Sequence, residues 1–179
     1  MKPTLMLGAA VLLASATVPA QRAPTPPAPP ALSDANVVAI FDAANTADIE
    51  TSELAAQKGA SADTRSTGSQ FASDHRNLRQ QGRDLAKRLS ITGAMPDGDK
   101  SASDHARAMA DLQGKTGAAF DAAYAAHEVT YHQAVIDNLT QTLIPAVQNP
   151  ELKTFMQNAA PAFQAHLQAA QELQHKLGS

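Results

Sequence analysis

Six histidines occur in the chain, and three of them, His75, His132 and His166, fall where apolar side chains are due. His75 comes four residues after Phe71 and three before Leu78. His132 comes three before Val135 and seven before Leu139. His166 comes three after Phe163 and four before Ala170. Such spacings put each imidazole on the apolar stripe of a helix. Asp48 holds the same kind of position among Val37, Phe41, Ala44 and Ala55. Three neutral imidazoles and a carboxylate form a donor set for one Zn, Cu, Fe or Mn ion. Glu128, one turn before His132, could add an oxygen, and Tyr124 lies one turn earlier still. The same residues also suit a hydrogen-bonded polar layer in a helical core, because buried imidazoles ordinarily find partners nearby. Helical phase alone leaves both readings open, since it does not say whether the residues share one height.

The remaining polar residues read differently. His127 is five before His132, so it is rotated away from the apolar side and should not chelate with it. His105 and His175 are expected to face solvent; Asp74, beside His75, either orients an imidazole on another helix or faces water. Gly68 and Gly82 flank His75 at seven residues on either side; they are either tolerated surface glycines or points of close backbone approach. Arg76, Arg79, Arg83, Lys87 and Arg88 crowd the same helix. They suit a solvated face or contact with an anionic envelope surface.

Four long helices must position these residues. The first is expected from a Ser33 cap to about Ala60 and the second from about Ala62 to Leu89. Thr92 to Asp99 reads as a loop, because Gly, Pro and Asp cluster there. Ser101, with Asp104 three residues on, resembles a capping box for a short helix to about Leu112. The third long helix is expected from about Ala118 to Val147. The fourth starts sharply at Asn149-Pro150-Glu151, a cap, a first-turn proline and an acidic residue suited to the helix dipole. Pro145 and Pro161 fall inside helical patterns and should kink them. One apolar stripe per helix predicts an all-α fold, an antiparallel four-helix bundle with a short extra helix in the 2–3 connection.

The N-terminal part reads as a leader and a tether. Residues 1–20 combine Lys2, an apolar run and a small-residue cleavage site, the pattern of a signal peptide. The Pro-rich stretch 21–32 suits an extended tether, and 33–178 forms the bundle domain. No later segment is apolar enough to span a bilayer, so no transmembrane segment is expected in the mature chain. With no cysteine there are no disulfides. A net charge of −3, more negative once Lys2 is removed, argues against nucleic-acid binding. With 4% aromatic residues and no Trp, an aromatic sugar-binding platform is not expected.

Four stretches together resemble a known family: ADIETSELAAQKGAS (47–61), FASDH (71–75), FDAAYAAHEVTYH (120–132) and PAFQAHLQAAQEL (161–173). The chain resembles the ferritin-like, predicted outer-membrane or periplasmic family called domain of unknown function 4142. The resemblance implies a ferritin-like four-helix bundle, exported by a bacterium, with no established activity. It also implies that Asp48, His75, His132 and His166 occupy the family's recurring polar positions. Asp48 stands where Glu is usual, and Glu128 where an apolar residue is usual. A carboxylate-bridged di-iron centre would need Glu three residues before histidine on two helices. Ala72, Val129 and Phe163 hold those places here. No motif for hydrolase chemistry is present. The sequence therefore points to a non-catalytic, exported envelope protein with a His/Asp core layer. The alternative is transition-metal sequestration by Asp48, His75, His132 and His166, with Glu128 auxiliary.

Overall fold

The computed structural model describes residues 31–178, all helix and connecting turn; the leader and most of the tether lie outside the described residues. The elements are α1 (Asp34–Lys58), α2 (Ala62–Arg88), α3 (Ser101–Gln113), α4 (Gly117–Asn138), a π-helical turn (Leu139–Leu143), α5 (Ile144–Ala146) and α6 (Pro150–Gly178). They pack as a helical bundle in which α1 lies along α2, and α4 along α6. Among the described residues, no helix is long and apolar enough to cross a membrane.

Local chemistry sets the helix ends. Ser33 and Asn36 form a reciprocal capping box at α1, and the Ser61 hydroxyl accepts from the Thr64 amide at α2. At α6 the Asn149 side chain accepts from the amides of Glu151 and Leu152 at 2.9 and 3.1 Å. The expected box at α3 does not form. Ser101 instead donates its amide and hydroxyl to Asp99, and Asp104 pairs with Arg107. An acceptor two residues upstream captures the serine before it can turn inward.

The third long helix also differs from expectation. It is regular only to Asn138, then widens, and the Ile144 amide bonds back to Leu139. Pro145 explains the change. It has no N–H to continue the ladder, and its ring crowds the carbonyl one turn back, so the helix loosens just before it. By contrast, α6 runs through Pro161 as one helix.

Two apolar clusters form the core. One gathers Val37, Phe41, Leu85, Leu139, Leu152 and Phe163; the other gathers Ala55, Leu112, Phe120, Tyr124 and Leu173. The buried polar residues Asp48, His75, His132 and His166 fall between these sets on α1, α2, α4 and α6. Gly68 allows the close pairing of α1 and α2. A Cβ there would lie 2.6 Å from the Ser52 carbonyl oxygen and 2.7 Å from the Ala56 nitrogen. Gly68→Ala is therefore expected to cost about 1–3 kcal/mol through overpacking. Helix propensity alone predicts a gain of about 1 kcal/mol. A urea melt decides between the two signs.

Asp121 of α4 holds the α1–α2 turn. Its carboxylate accepts from the amides of Ala60 and Ser61 at 2.8 and 2.7 Å. The sequence offered no periodic signal for that role, because a cap supplied from a distant helix leaves no local spacing.

Candidate metal centre

The histidine–aspartate layer converges. Ligand-capable atoms of His75, His132 and His166 lie within 4.8 Å of one another, as do those of Asp48, Glu128 and His132. Asp48 Oδ2 is 3.4 Å from both His75 Nε2 and His132 Nε2, and His166 Nδ1 is 2.9 Å from His75 Nε2. All four side chains are buried.

The outer partners fix which imidazole nitrogen carries hydrogen. The Asn45 amide nitrogen donates to the Phe41 carbonyl at 2.8 Å, so the Asn45 oxygen faces His75 Nδ1, 2.9 Å away, and must accept. His132 Nδ1 lies 3.0 Å from the Glu128 carbonyl oxygen, which can only accept. His166 Nε2 lies 3.1 Å from a carboxylate oxygen of Asp74. Each outward nitrogen is thus placed to donate, which leaves His75 Nε2, His132 Nε2 and His166 Nδ1 on the inner side; of these, His75 Nε2 and His166 Nδ1 are within hydrogen-bond distance of each other, and His132 Nε2 has no partner.

Burial disfavours the charged form of His75 and His166. It pushes His75 down to about 2, helped by His166 and then His132. It also lowers His166, against the opposing pull of Asp74. Burial, reinforced by Glu128, raises the Asp48 carboxyl. The 3.4 Å contact of Asp48 with His75 is therefore not a pair with imidazolium.

The inner side of the layer is then short of protons around Asp48 and His132. Asp48 Oδ2 and His132 Nε2 have no hydrogen-bond partner, although both are buried. An unpartnered buried polar atom costs about 1–3 kcal/mol. A single proton on Asp48 or on an imidazole could bridge only one gap. A cation held by the three histidines, whose ligand atoms lie within 4.8 Å of one another, would take up their lone pairs, with Asp48 Oδ2 3.4 Å from two of them. Bonds of about 2.0–2.1 Å at tetrahedral angles separate donor atoms by about 3.3–3.4 Å, the spacing of Asp48 from His75 and His132. The His75–His166 contact would need to open by about half an ångström.

Glu128 takes a different place. It is wholly buried, and burial pushes its carboxyl up to about 8 against the Thr51 hydrogen bond. Its Oε2 is 3.3 Å from His132 Nδ1, the side of the ring turned away from Asp48, and Oε1 accepts from Thr51 at 3.3 Å. Its Oε2 is a third buried atom without a hydrogen-bond partner, since His132 Nδ1 is engaged by the Glu128 backbone carbonyl. Tyr124 is 3.1 Å from the Ser52 hydroxyl, which donates to Asp48 Oδ1 at 3.1 Å.

Asp74 does both things open to it: it is exposed, and it accepts from His166 on another helix. Some expectations need correction. His105 was expected in solvent; it is half-buried, and its Nε2 lies 2.7 Å from Glu50. His175 is exposed, and His127 stacks on Tyr131 away from the cluster. Periodicity also missed Asn45 and Ser52, the outer partners of His75 and Asp48. Their only sequence signal is position: Asn45 lies three before Asp48, and Ser52 four after, on the same helical face.

The family described as a domain of unknown function (DUF4142) matches residues 18–173. The chain belongs to this family. No curated protein and no solved structure matches it. For this family member the buried layer is the best guide to chemistry. A cleft of about 240 Å³ between α2 and α6 reaches His75 and His166, with Asp74 at its wall.

Asp74→Asn tests the outer-partner argument. Loss of a carboxylate partner behind a metal-ligating imidazole typically weakens binding 10–100-fold. We expect zinc affinity to fall by about that much while the metal-free melting temperature changes little, because Asp74 is half-exposed. Unchanged zinc affinity would mean that Asp74 does not orient His166.

Proposed function

We propose that this chain binds one transition-metal ion through His75 Nε2, His132 Nε2, His166 Nδ1 and the Asp48 carboxylate, and that it sequesters or buffers that ion. The observation that carries the reading is the inward convergence of lone pairs whose opposite ring nitrogens are all engaged as donors. A hydrogen-bonded core layer would instead alternate donors with acceptors. Imidazole-rich donor sets suit Zn, Cu and Fe, and an added carboxylate also admits Mn.

The fold that we propose for this role is a ferritin-like antiparallel four-helix bundle. Its donor set does not suit the di-iron chemistry of that architecture, because no Glu stands three residues before His75, His132 or His166. We therefore read the protein as non-catalytic. The leader-like residues 1–20 support a place in the bacterial envelope, in the periplasm or at the outer membrane.

Isothermal titration of chelator-treated protein with Zn²⁺, Cu²⁺, Fe²⁺ and Mn²⁺ tests the function. The expected result is one equivalent of at least one metal, lost in Asp48→Asn and His166→Gln. Absence of stoichiometric binding by all four would leave the layer as core structure.

A further inference from the structure

A second concavity lies away from the histidines, between α1, α2, the N-terminal part of α6 and the loop that follows α2. Its volume is about 590 Å³, within the ~300–1,000 Å³ typical of small-molecule sites. Its two sides differ in chemistry. Val38, Ile91 and Met95 supply accessible apolar surface over a floor of buried Phe41, Leu152 and Met156, where Gly82 adds no side chain. Arg79, Arg83 and Lys87 follow one another at four-residue intervals along α2 and also line the groove.

The cations are not all neutralised. Arg83 pairs with Asp42 through both a 2.5 Å and a 2.9 Å contact, which accounts for the only acidic residue in the lining. Arg79 donates to the uncharged Thr46 hydroxyl at 3.0 Å. Lys87 is exposed and has no ion-pair partner among the described residues. The groove therefore keeps an excess of positive charge beside an apolar wall.

The loop wall is held in place. Ser90 turns the chain with φ 58°, a left-handed conformation unfavourable for a non-glycine residue. The loop is then tied to α1 by the Ala94 amide donating to Ala35 at 3.1 Å and the Asn36 side chain donating to Ala94 at 2.8 Å. It presents Met95, the one large apolar side chain classed as exposed among the described residues, at 41%. Strain, fixed hydrogen bonds and an exposed apolar residue thus coincide at one edge of the groove.

We propose that this groove binds a single-chain amphiphile with an anionic head, of the fatty-acid class. The head group pairs with Lys87 and Arg79 on α2, and the chain lies along Val38, Ile91 and Met95. Concavity distinguishes this from contact with a bilayer surface, because the apolar residues line a recess and only Met95 stands out. The proposal is independent of the metal centre.

Titration calorimetry of the full chain with dodecanoate, below its micelle concentration, tests the proposal. One saturable equivalent is expected, with Lys87→Glu and Met95→Asp each weakening it about tenfold. Both positions are exposed, so their melting temperatures should match the parent. Dodecyltrimethylammonium, with the same chain and opposite charge, should bind at least tenfold more weakly. No saturable dodecanoate binding overturns the proposal, and so does equal affinity for the cationic amphiphile. Sedimentation of the chain with phosphatidylglycerol vesicles, without binding of monomeric dodecanoate, also overturns it in favour of a membrane-contact face.

Discussion

Asp48→Asn is expected to stabilise the metal-free protein by about 1–3 kcal/mol, the cost of an unpartnered buried polar group. In the parent, Asp48 Oδ2 faces two imidazole lone pairs at 3.4 Å and has no hydrogen-bond partner. An isosteric amide would place two N–H groups there, one for His75 Nε2 and one for His132 Nε2. Its oxygen would still accept from Ser52, as Oδ1 does now at 3.1 Å. The substitution also removes a carboxyl buried beside Glu128, which lets that side chain sit with less repulsion. For a chain of this size, a gain of about 2 kcal/mol raises the melting temperature by about 4–8 °C. Thermal or urea melts in excess chelator measure the effect. A loss of similar size would mean that Asp48 holds an imidazolium, and that the layer is an ion-paired core.

The second large effect is stabilisation by the metal itself. An ion that binds the native state alone adds about 2.7 kcal/mol at 100 times its dissociation constant and about 4.1 kcal/mol at 1,000 times. The first figure corresponds to a rise of about 5–11 °C in melting temperature. His166→Gln should abolish most of this rise. His166 lies at the edge of the layer with 6% exposure, so the variant should fold. Asp48→Asn should behave in the opposite way to the parent: more stable without metal and little changed by its addition. That crossing of the two proteins is hard to obtain from a layer that only packs. If parent and variants shift equally with zinc, the ion binds elsewhere, at surface histidines such as His175.

Helical phase made the inward ring of the site legible. Asp48, His75, His132 and His166 each break an apolar stripe, and all four are buried in one layer. What phase could not supply was their common height, which depends on how far four helices slide past one another. The Gly68 contact with α1 and the hold of Asp121 on the α1–α2 turn help to set that register, and both are contacts between distant residues. The outer partners were harder to read for a similar reason. Asn45 reaches a histidine on α2, and Asp74 reaches one on α6, so neither pairing leaves a local spacing. Asp74, next in sequence to a buried histidine, serves a different one.

The helix boundaries show the same division. The caps at Ser33, Ser61 and Asn149 depend on residues within three positions and could be anticipated from the chain. The loosening before Pro145 also has a local cause, but proline predicts only that the ladder must break. Whether it breaks as a kink or as a wider turn depends on the packing of Leu139 and Leu143 in the core. Pro161 illustrates the other outcome, since α6 passes through it unbroken.

Anomalous diffraction at the zinc edge, from crystals of the zinc-loaded protein, tests the central claim most directly. The account predicts one strong peak inside the bundle, about 2.0–2.1 Å from His75 Nε2, His132 Nε2, His166 Nδ1 and a carboxylate oxygen of Asp48. Peaks confined to the surface, with His166 Nδ1 still 2.9 Å from His75 Nε2, would contradict it.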